Sequence, residues 1–226
     1  MREIIVIGCG GVGSNLLDWV VRYLQGKEEE YRLVMCDGDK IEAKNLSRQS
    51  FSINDFDENK AEAKRNKLEE LLFRENVSLV ALPLYIDTTN VNAYIRENSI
   101  VILAVDNYKT RKIIQEYTLK LKDIVLISIG NELIDGDMAV FIKKDGKEVA
   151  PPIWTDHKEI KNAKDKLPNE LDCNQLAISQ PQLINTNLMG ALLALNTLHL
   201  ILNGKNINYK EIYFDIEQQA VRAVKI

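Results

Sequence analysis

The sequence predicts an α/β fold: a Rossmann-like, mostly parallel twisted sheet with helices on both faces, extended by antiparallel strands in the C-terminal third. Three observations carry that expectation. Short apolar runs alternate with amphipathic segments as far as Gly130, the rhythm of strand–helix–strand crossovers. The first run, Ile4-Ile5-Val6-Ile7, leads into Gly8-Cys9-Gly10-Gly11-Val12-Gly13-Ser14, and the second, Leu33-Val34-Met35-Cys36, ends on Asp37-Gly38-Asp39. That is the strand, glycine turn, helix, strand, acid order of a nucleotide-binding unit. After Gly130 the rhythm changes to hairpins.

The elements follow in order. Residues 3–7 read as a strand and 13–25 as a helix stopped at Gln25-Gly26. Residues 32–36 are a second buried strand, and a short turn-helix carries Asn45 to Phe51. Asn59 to Phe73 sets Ala61, Leu68, Leu71 and Leu72 among charges, an amphipathic helix. Val77 to Leu82 is a strand, Asn90 to Arg96 a short helix, and Ile100 to Val105 the most strand-like run, ending on Asp106-Asn107. Residues 109–121 are helical and Ile124 to Ile129 form a fifth strand. Met138 to Lys143 then runs into Lys144-Asp145-Gly146-Lys147, a hairpin signal. Pro151 to Asn174 is polar and aperiodic, a long loop of the kind that is functional or disordered. Leu183 to Leu202 is a helix apolar nearly all round, hence a core helix or a subunit interface. Glu211 to Ile216 and Ala220 to Val224 close the chain as a hairpin.

With 226 residues, the chain can bury a full core. Apolar residues at 46% and charged ones at 27% argue for a globular protein rather than disorder. A formal net charge of −4 argues against a nucleic-acid footprint. No apolar run is expected to reach the roughly 20 residues that span a bilayer, and no signal peptide is expected before the first strand. Cys9, Cys36 and Cys173 form no CxxC pair, so neither a disulfide framework nor a structural zinc is expected, and a reduced, cytoplasmic protein is.

Gly8, Gly10, Gly11 and Gly13 are suited to close approach by a phosphate, with the helix N-terminus offering free N–H groups and a positive dipole end. Asp37, at a strand end, can accept from ribose hydroxyls; a turn cap is the plain alternative. Asp39 reads as a turn residue beside it. Asn45, Arg48, Gln49, Lys60 and Asp106-Asn107 sit at or just past strand ends, where open parallel sheets bind ligands. Their types suit a nucleoside triphosphate: Arg and Lys for phosphates, an acid for Mg²⁺. Each also has a plain role, as a solvated charge for Arg48 and Lys60 or as a helix cap for Asn45 and Asp106. Cys9 and Cys36 read as packing residues, His157 as isolated, and His199 as a satisfied core histidine.

With Gly8 to Ser14, Asp37-Gly38-Asp39, Asn45-Leu46-Ser47-Arg48-Gln49, Lys60 and Asp106-Asn107 in this order, the chain resembles the ThiF/MoeB family of ubiquitin-activating-enzyme-like adenylyltransferases. The likeness is close over 3–130 and looser beyond. It implies one domain over 1–226, with a nucleotide-binding core at 1–130 and an extension at 131–226. That extension would carry a crossover loop at 150–180 and an apolar interface helix at 181–203. It further implies ATP and Mg²⁺ as cofactors, with Asp37 on the ribose and Asn45, Arg48 and Lys60 on the triphosphate. Asp106 would hold the metal. The reaction implied is adenylation of the C-terminal carboxylate of a ubiquitin-like or sulfur-carrier protein, by a homodimer. Some relatives then pass the acyl group to a cysteine, and Cys173 stands in a fitting place. Many carry an upstream helix that lends an arginine across the dimer, and many bind zinc through two CxxC pairs; with the sequence opening at the first strand and no CxxC pair in it, that arginine is expected from elsewhere and zinc is not expected. An NAD-dependent oxidoreductase explains the glycines and Asp37 equally well, and a non-catalytic partner subunit remains a third reading.

Overall fold

A computed structural model describes residues 1–170 and 182–226. The strands are β1 (Arg2–Ile7), β2 (Tyr31–Cys36), β3 (Val77–Leu82), β4 (Ile100–Leu103), β5 (Ile124–Asn131), β6 (Asp135–Lys144), β7 (Lys147–Ala150), β8 (Tyr209–Asp215) and β9 (Ala220–Lys225). Helices α1 (Gly11–Gln25), α2 (Lys60–Glu69), α3 (Val91–Tyr94), α4 (Tyr108–Thr118), α5 (Lys158–Lys161) and α6 (Ile184–Leu202) lie between them.

One nine-stranded sheet runs β3-β2-β1-β4-β5-β6-β8-β9, with β7 paired to β6. The first five strands pair in parallel, and every pairing from β5–β6 onward is antiparallel. The order reverses at β1, so a crevice opens at the carboxyl ends of β1 and β4, where α/β sheets take ligands. Alternate residues of each central strand feed two cores. Ile4, Val6, Leu33 and Met35 face α1, α2 and α6, whereas Ile5, Ile7, Val101 and Leu103 face α3, α4 and α5. Helices on both faces are thus observed, and the strands read as continuous apolar runs because both faces are buried.

The β6–β7 turn has positive φ at both central residues, 50° at Asp145 and 76° at Gly146, the backbone that a two-residue hairpin of matching twist requires. Strand β4 ends at Leu103, so Ala104 and Val105 belong to the loop before Asp106. Asn59 caps α2, accepting from the N–H groups of Ala61 and Glu62.

Three expectations change. The segment after Pro151 is not free loop: Ile153, Ile160 and Leu167 are buried in the second core, and Ile153 N–H donates to Gln115 Oε1 at 2.8 Å. Cys173 and the rest of that loop lie outside the described residues. By length and composition α6 is apolar enough to cross a bilayer, contrary to expectation. Here it lies on the sheet, burying Gly190, Ala191, Ala194 and Leu198 and exposing Leu188 and Leu192. His199 is exposed rather than in the core, and its Nδ1 meets Tyr23 Oη at 3.0 Å.

Candidate nucleotide-binding site

The turn after β1 is tight for a steric reason. Gly8 has φ +93°, and a Cβ there would stand 2.5 Å from the Ala104 carbonyl oxygen of the β4 loop. A Cβ on Gly13 would overlap the Gly8 carbonyl oxygen, so α1 can pack this close only without one. Gly10 precedes α1 as its N-cap, and Gly11 opens the helix against the side chain of Asn187. No acid stands in the first turn of α1, leaving its N–H groups and dipole end available to an anion.

Asp37 is buried at the carboxyl end of β2. Its Oδ2 accepts from Cys9 N–H at 2.6 Å and its Oδ1 from Asp39 N–H at 2.8 Å. Those bonds tie the acid to the glycine turn and leave each oxygen a further lone pair. Burial pushes the carboxyl up to about 6 against the pull of the nearby Lys60 charge. Burial likewise pushes the thiol of Cys9 well up, with the Asp37 charge adding to it, and Cys36 follows for the same reasons. Both are inert packing thiols.

Asp39 is more than a turn residue. Its Oδ2 pairs with Lys60 Nζ at 2.8 Å, and Tyr85 Oη donates to its Oδ1. Burial raises its carboxyl, but the Lys60 charge and the bonds from Lys60 and Tyr85 outweigh that, so the net shift is downward. Burial lowers Lys60, and the charges of Asp37 and Asp39 more than restore it, keeping a buried ammonium charged. Tyr85 lies flat against Gly38.

The Asn45–Gln49 stretch is a folded turn. Asn45 Oδ1 accepts from Glu42 N–H at 2.9 Å, and the Asn45 carbonyl accepts from the N–H groups of Arg48 and Gln49. The capping role is therefore observed. Lys64, fully buried, bonds Asp18 and the Ser50 carbonyl and fastens this turn to α1. Arg48 Nη1 reaches Gln182 Oε1 at 2.6 Å, and burial lowers its guanidinium while the Asp106 charge opposes. Gln49 is buried, with its Nε2 facing Gly10 and its Oε1 without a partner among the described residues. A buried acceptor in that state is poised for a ligand's donor.

Asp106 is exposed at this edge, and the helix cap falls to Asn107, whose Oδ1 accepts from Thr110 N–H at 2.8 Å. Asp106 is therefore free of the structural role that was its plain alternative. Asn107 caps through its Oδ1, as Asn45 does.

Sequence reasoning missed three residues here. Tyr85 gave no signal. Asn187 is fully buried at the start of α6, and its side chain joins Asn131, the Arg48 carbonyl and Gly11. Arg111, buried in the first turn of α4, donates to the carbonyls of Val105 and Ile129, both at 2.6 Å, and to Ser128 Oγ at 3.0 Å. It clamps the ends of β4 and β5 and so fixes the loop that carries Asp106. A charge on the stripe shared with Ile114 and Thr118 was its one sequence signal.

The ThiF family model matches residues 2–226. The sulfur carrier protein adenylyltransferase of Thermus thermophilus is 29% identical over 141 residues, 62% of this chain and 49% of that protein. The sulfur carrier protein ThiS adenylyltransferase of Bacillus subtilis is 28% identical over 119 residues, 51% of this chain and 33% of its own length. The chain thus spans half or less of the curated relatives it matches. Among solved structures, E. coli MccB with ATP superposes with a TM-score of 0.73 at 16% identity, covering 99% of this chain and 63% of that one. PaaA gives the same TM-score at 15% identity, covering 100% and 64%. At these identities the structural matches establish the fold alone.

Proposed function

Since the chain belongs to the ThiF family, we propose that it is an adenylyltransferase using ATP and Mg²⁺ to activate the C-terminal carboxylate of a ubiquitin-like or sulfur-carrier protein. The observation that carries this reading is that Asp37 bonds the glycine turn, Lys60 stands beside Asp37 and Asp39, and the charge of exposed Asp106 acts on both Arg48 and Lys60. The curated relatives, named as adenylyltransferases, support it. They do not favour an NAD-dependent oxidoreductase, which would leave Arg48 and Lys60 without a role.

In this mechanism the carboxylate of Asp37 accepts from the ribose hydroxyls, and the α1 N-terminus with the glycine turn borders the phosphates. Lys60, kept charged and aimed by Asp39, and Arg48 with Asn45 hold the triphosphate. Gln49 offers its unpartnered oxygen beside the turn. Mg²⁺, held by Asp106, would spread the phosphate charge. A carboxylate oxygen of the carrier bonds to the α-phosphorus as pyrophosphate leaves. No general base is required, because that carboxylate is already ionised at neutral pH. The chain's task is positioning and charge neutralisation. Transfer of the acyl group to Cys173 belongs to the same reading, and mass spectrometry of wild type and Cys173→Ser after reaction tests it. So does a homodimer through α6, whose outer face presents Ile184, Leu188 and Leu192 at helical spacing.

Thermal stabilisation by Mg-ATP, AMP, NAD and NADP tests the nucleotide reading. A ligand at a hundredfold excess over Kd adds about 2.7 kcal/mol. Stabilisation by Mg-ATP that Asp106→Ala removes is the expected result. Stabilisation by NAD alone would discard adenylation.

A further inference from the structure

At the antiparallel end of the sheet, three segments far apart in sequence bring ligating atoms to one place. Asp137 is on β6, Glu211 is on the neighbouring β8, and His157 precedes α5 in the segment that crosses over both strands. In the β6–β8 register Ala139 lies opposite Glu211 and Asp137 opposite Tyr213, so the two carboxylates project from the same face. One nitrogen of His157 and one oxygen of each acid lie within 4.8 Å of one another. His157 Nε2 contacts Glu211 Oε1 and stands 3.7 Å from Asp137 Oδ2.

Two independent features make this more than a group of acids. His157 Nδ1 is hydrogen-bonded to Glu159 Oε1 at 2.8 Å, which fixes the ring and turns Nε2 toward the other carboxylates. Metal-bound imidazoles are held in this way. On the Glu211 side of the ring is a cavity of about 10 Å³ walled by His157, Glu211, Thr155 and Lys210, room for one water, with Asp137 outside its lining.

The charge balance points the same way. Glu211 is 3% exposed, and its ion-pair partner among the described residues is His157. Lys210 is taken by Asp156. The Arg111 guanidinium lies close enough for its charge to act on Asp137, and both side chains lie beside Gly130. A guanidinium and an imidazolium therefore face the carboxylates of buried Glu211, half-buried Asp137 and exposed Glu159. Buried carboxylates demand compensating charge. A divalent ion in place of the ring proton, together with Arg111, would balance all three.

We propose that Asp137, His157 and Glu211 bind a divalent transition-metal ion, with Zn²⁺ the best fit, and that it staples the crossing segment to the sheet. One imidazole nitrogen and two carboxylate oxygens are ordinary zinc donors, with bonds of about 2.0 Å and ligand atoms roughly 3.3 Å apart in a tetrahedron. The His157–Asp137 separation of 3.7 Å is close to that spacing, whereas His157 and Glu211 are in direct contact and move apart to admit an ion. Mg²⁺ wants an oxygen octahedron and is a poor match. On binding, Nε2 donates its lone pair to the ion and its proton passes to solvent. The proposal does not rest on the nucleotide reading, since none of these residues belongs to that site.

The test is calorimetric titration of the metal-stripped full chain with ZnCl₂, in a Cys173→Ser background that removes a competing thiol, with melting followed in parallel. The expected result is one Zn²⁺ per chain and a higher Tm. His157→Gln, Asp137→Asn and Glu211→Gln should each weaken binding on the order of tenfold or more, and Glu159→Gln less. Should Glu211→Gln not fold, Asp137→Asn, at the more exposed ligand, carries the test. Wild type that takes up no stoichiometric Zn²⁺, or uptake equal in all the variants, would overturn the proposal and leave the ring proton as the cation that holds this cluster.

Discussion

At the parallel end of the sheet, Asp37 and Asp106 each follow a strand, with Lys60 opening the helix after the next turn, and the order of these residues along the chain already describes the site. At the antiparallel end, Asp137, His157 and Glu211 come from two strands and a crossing segment, and nothing in their spacing announces that they meet. The difference is one of topology. Parallel crossovers return every strand end to the same edge, so polar residues after apolar runs converge automatically. Antiparallel strands reverse direction, so what meets depends on register and on the path of the connecting segment. Arg111 joins the two regions, with its bonds on the Val105 and Ile129 carbonyls and its charge beside Asp137.

The largest effect is expected at that junction. Arg111→Met removes the guanidinium that donates to the part-buried Val105 carbonyl and the buried Ile129 carbonyl and whose charge faces Asp137. It should cost about 3–5 kcal/mol in urea unfolding, with Arg111→Lys recovering part. A loss below about 1 kcal/mol would mean that the two regions are not coupled through this residue.

Asp106→Ala strikes the parallel end alone. Pyrophosphate exchange should fall on the order of a hundredfold, about 2.7 kcal/mol. Stability should hold within about 0.5 kcal/mol, because the side chain is exposed and Asn107 does the capping. Unfolding at lower urea would turn the residue back into a structural one.

Asp37 sharpens the contrast through pH. Its carboxyl is pushed up to about 6, and only the ionised form accepts from two hydroxyls. Nucleotide affinity should therefore fall about tenfold, about 1.4 kcal/mol, for each pH unit below that value, and Asp37→Asn should bind weakly with no such slope. For stability the sign is opposite. A carboxyl raised on folding stabilises at acid pH and loses that contribution as pH rises through about 6. Wild type should thus lose Tm relative to Asp37→Asn between pH 4 and 7. Parallel melting profiles would contradict the assignment.

The smallest effect on folding is expected on α6. Leu188 and Leu192 are 41% and 51% exposed, so Glu at either should change monomer stability by no more than about 0.5 kcal/mol while dissociating a dimer in light scattering. Wild type that is monomeric at micromolar concentration would remove the dimer from the account.

Much of the parallel region was legible because burial on both faces writes its strands as unbroken apolar runs, Ile4 to Ile7 and Ile100 to Leu103 among them. The β6–β7 hairpin was legible because Asp145-Gly146 suits the backbone such a turn needs. What stayed hidden depends on contacts made at long range. Tyr85 reaches Asp39, Asn187 meets the glycine turn, and His157 meets Glu211, each across dozens of residues. Strand Ile100–Leu103 stops before its apolar run does, although Ala104 N–H still donates to the Ile7 carbonyl and Ala104 lies against the Gly8 turn.

The most direct test of the account is exchange of labelled pyrophosphate into ATP, with Mg²⁺ and a panel of small ubiquitin-like and sulfur-carrier proteins, on wild type and Asp106→Ala. Exchange that depends on a carrier and is lost in the variant is the expected result. Absence of both exchange and Mg-ATP binding in wild type, across the whole panel, would contradict it and leave the fold without this chemistry.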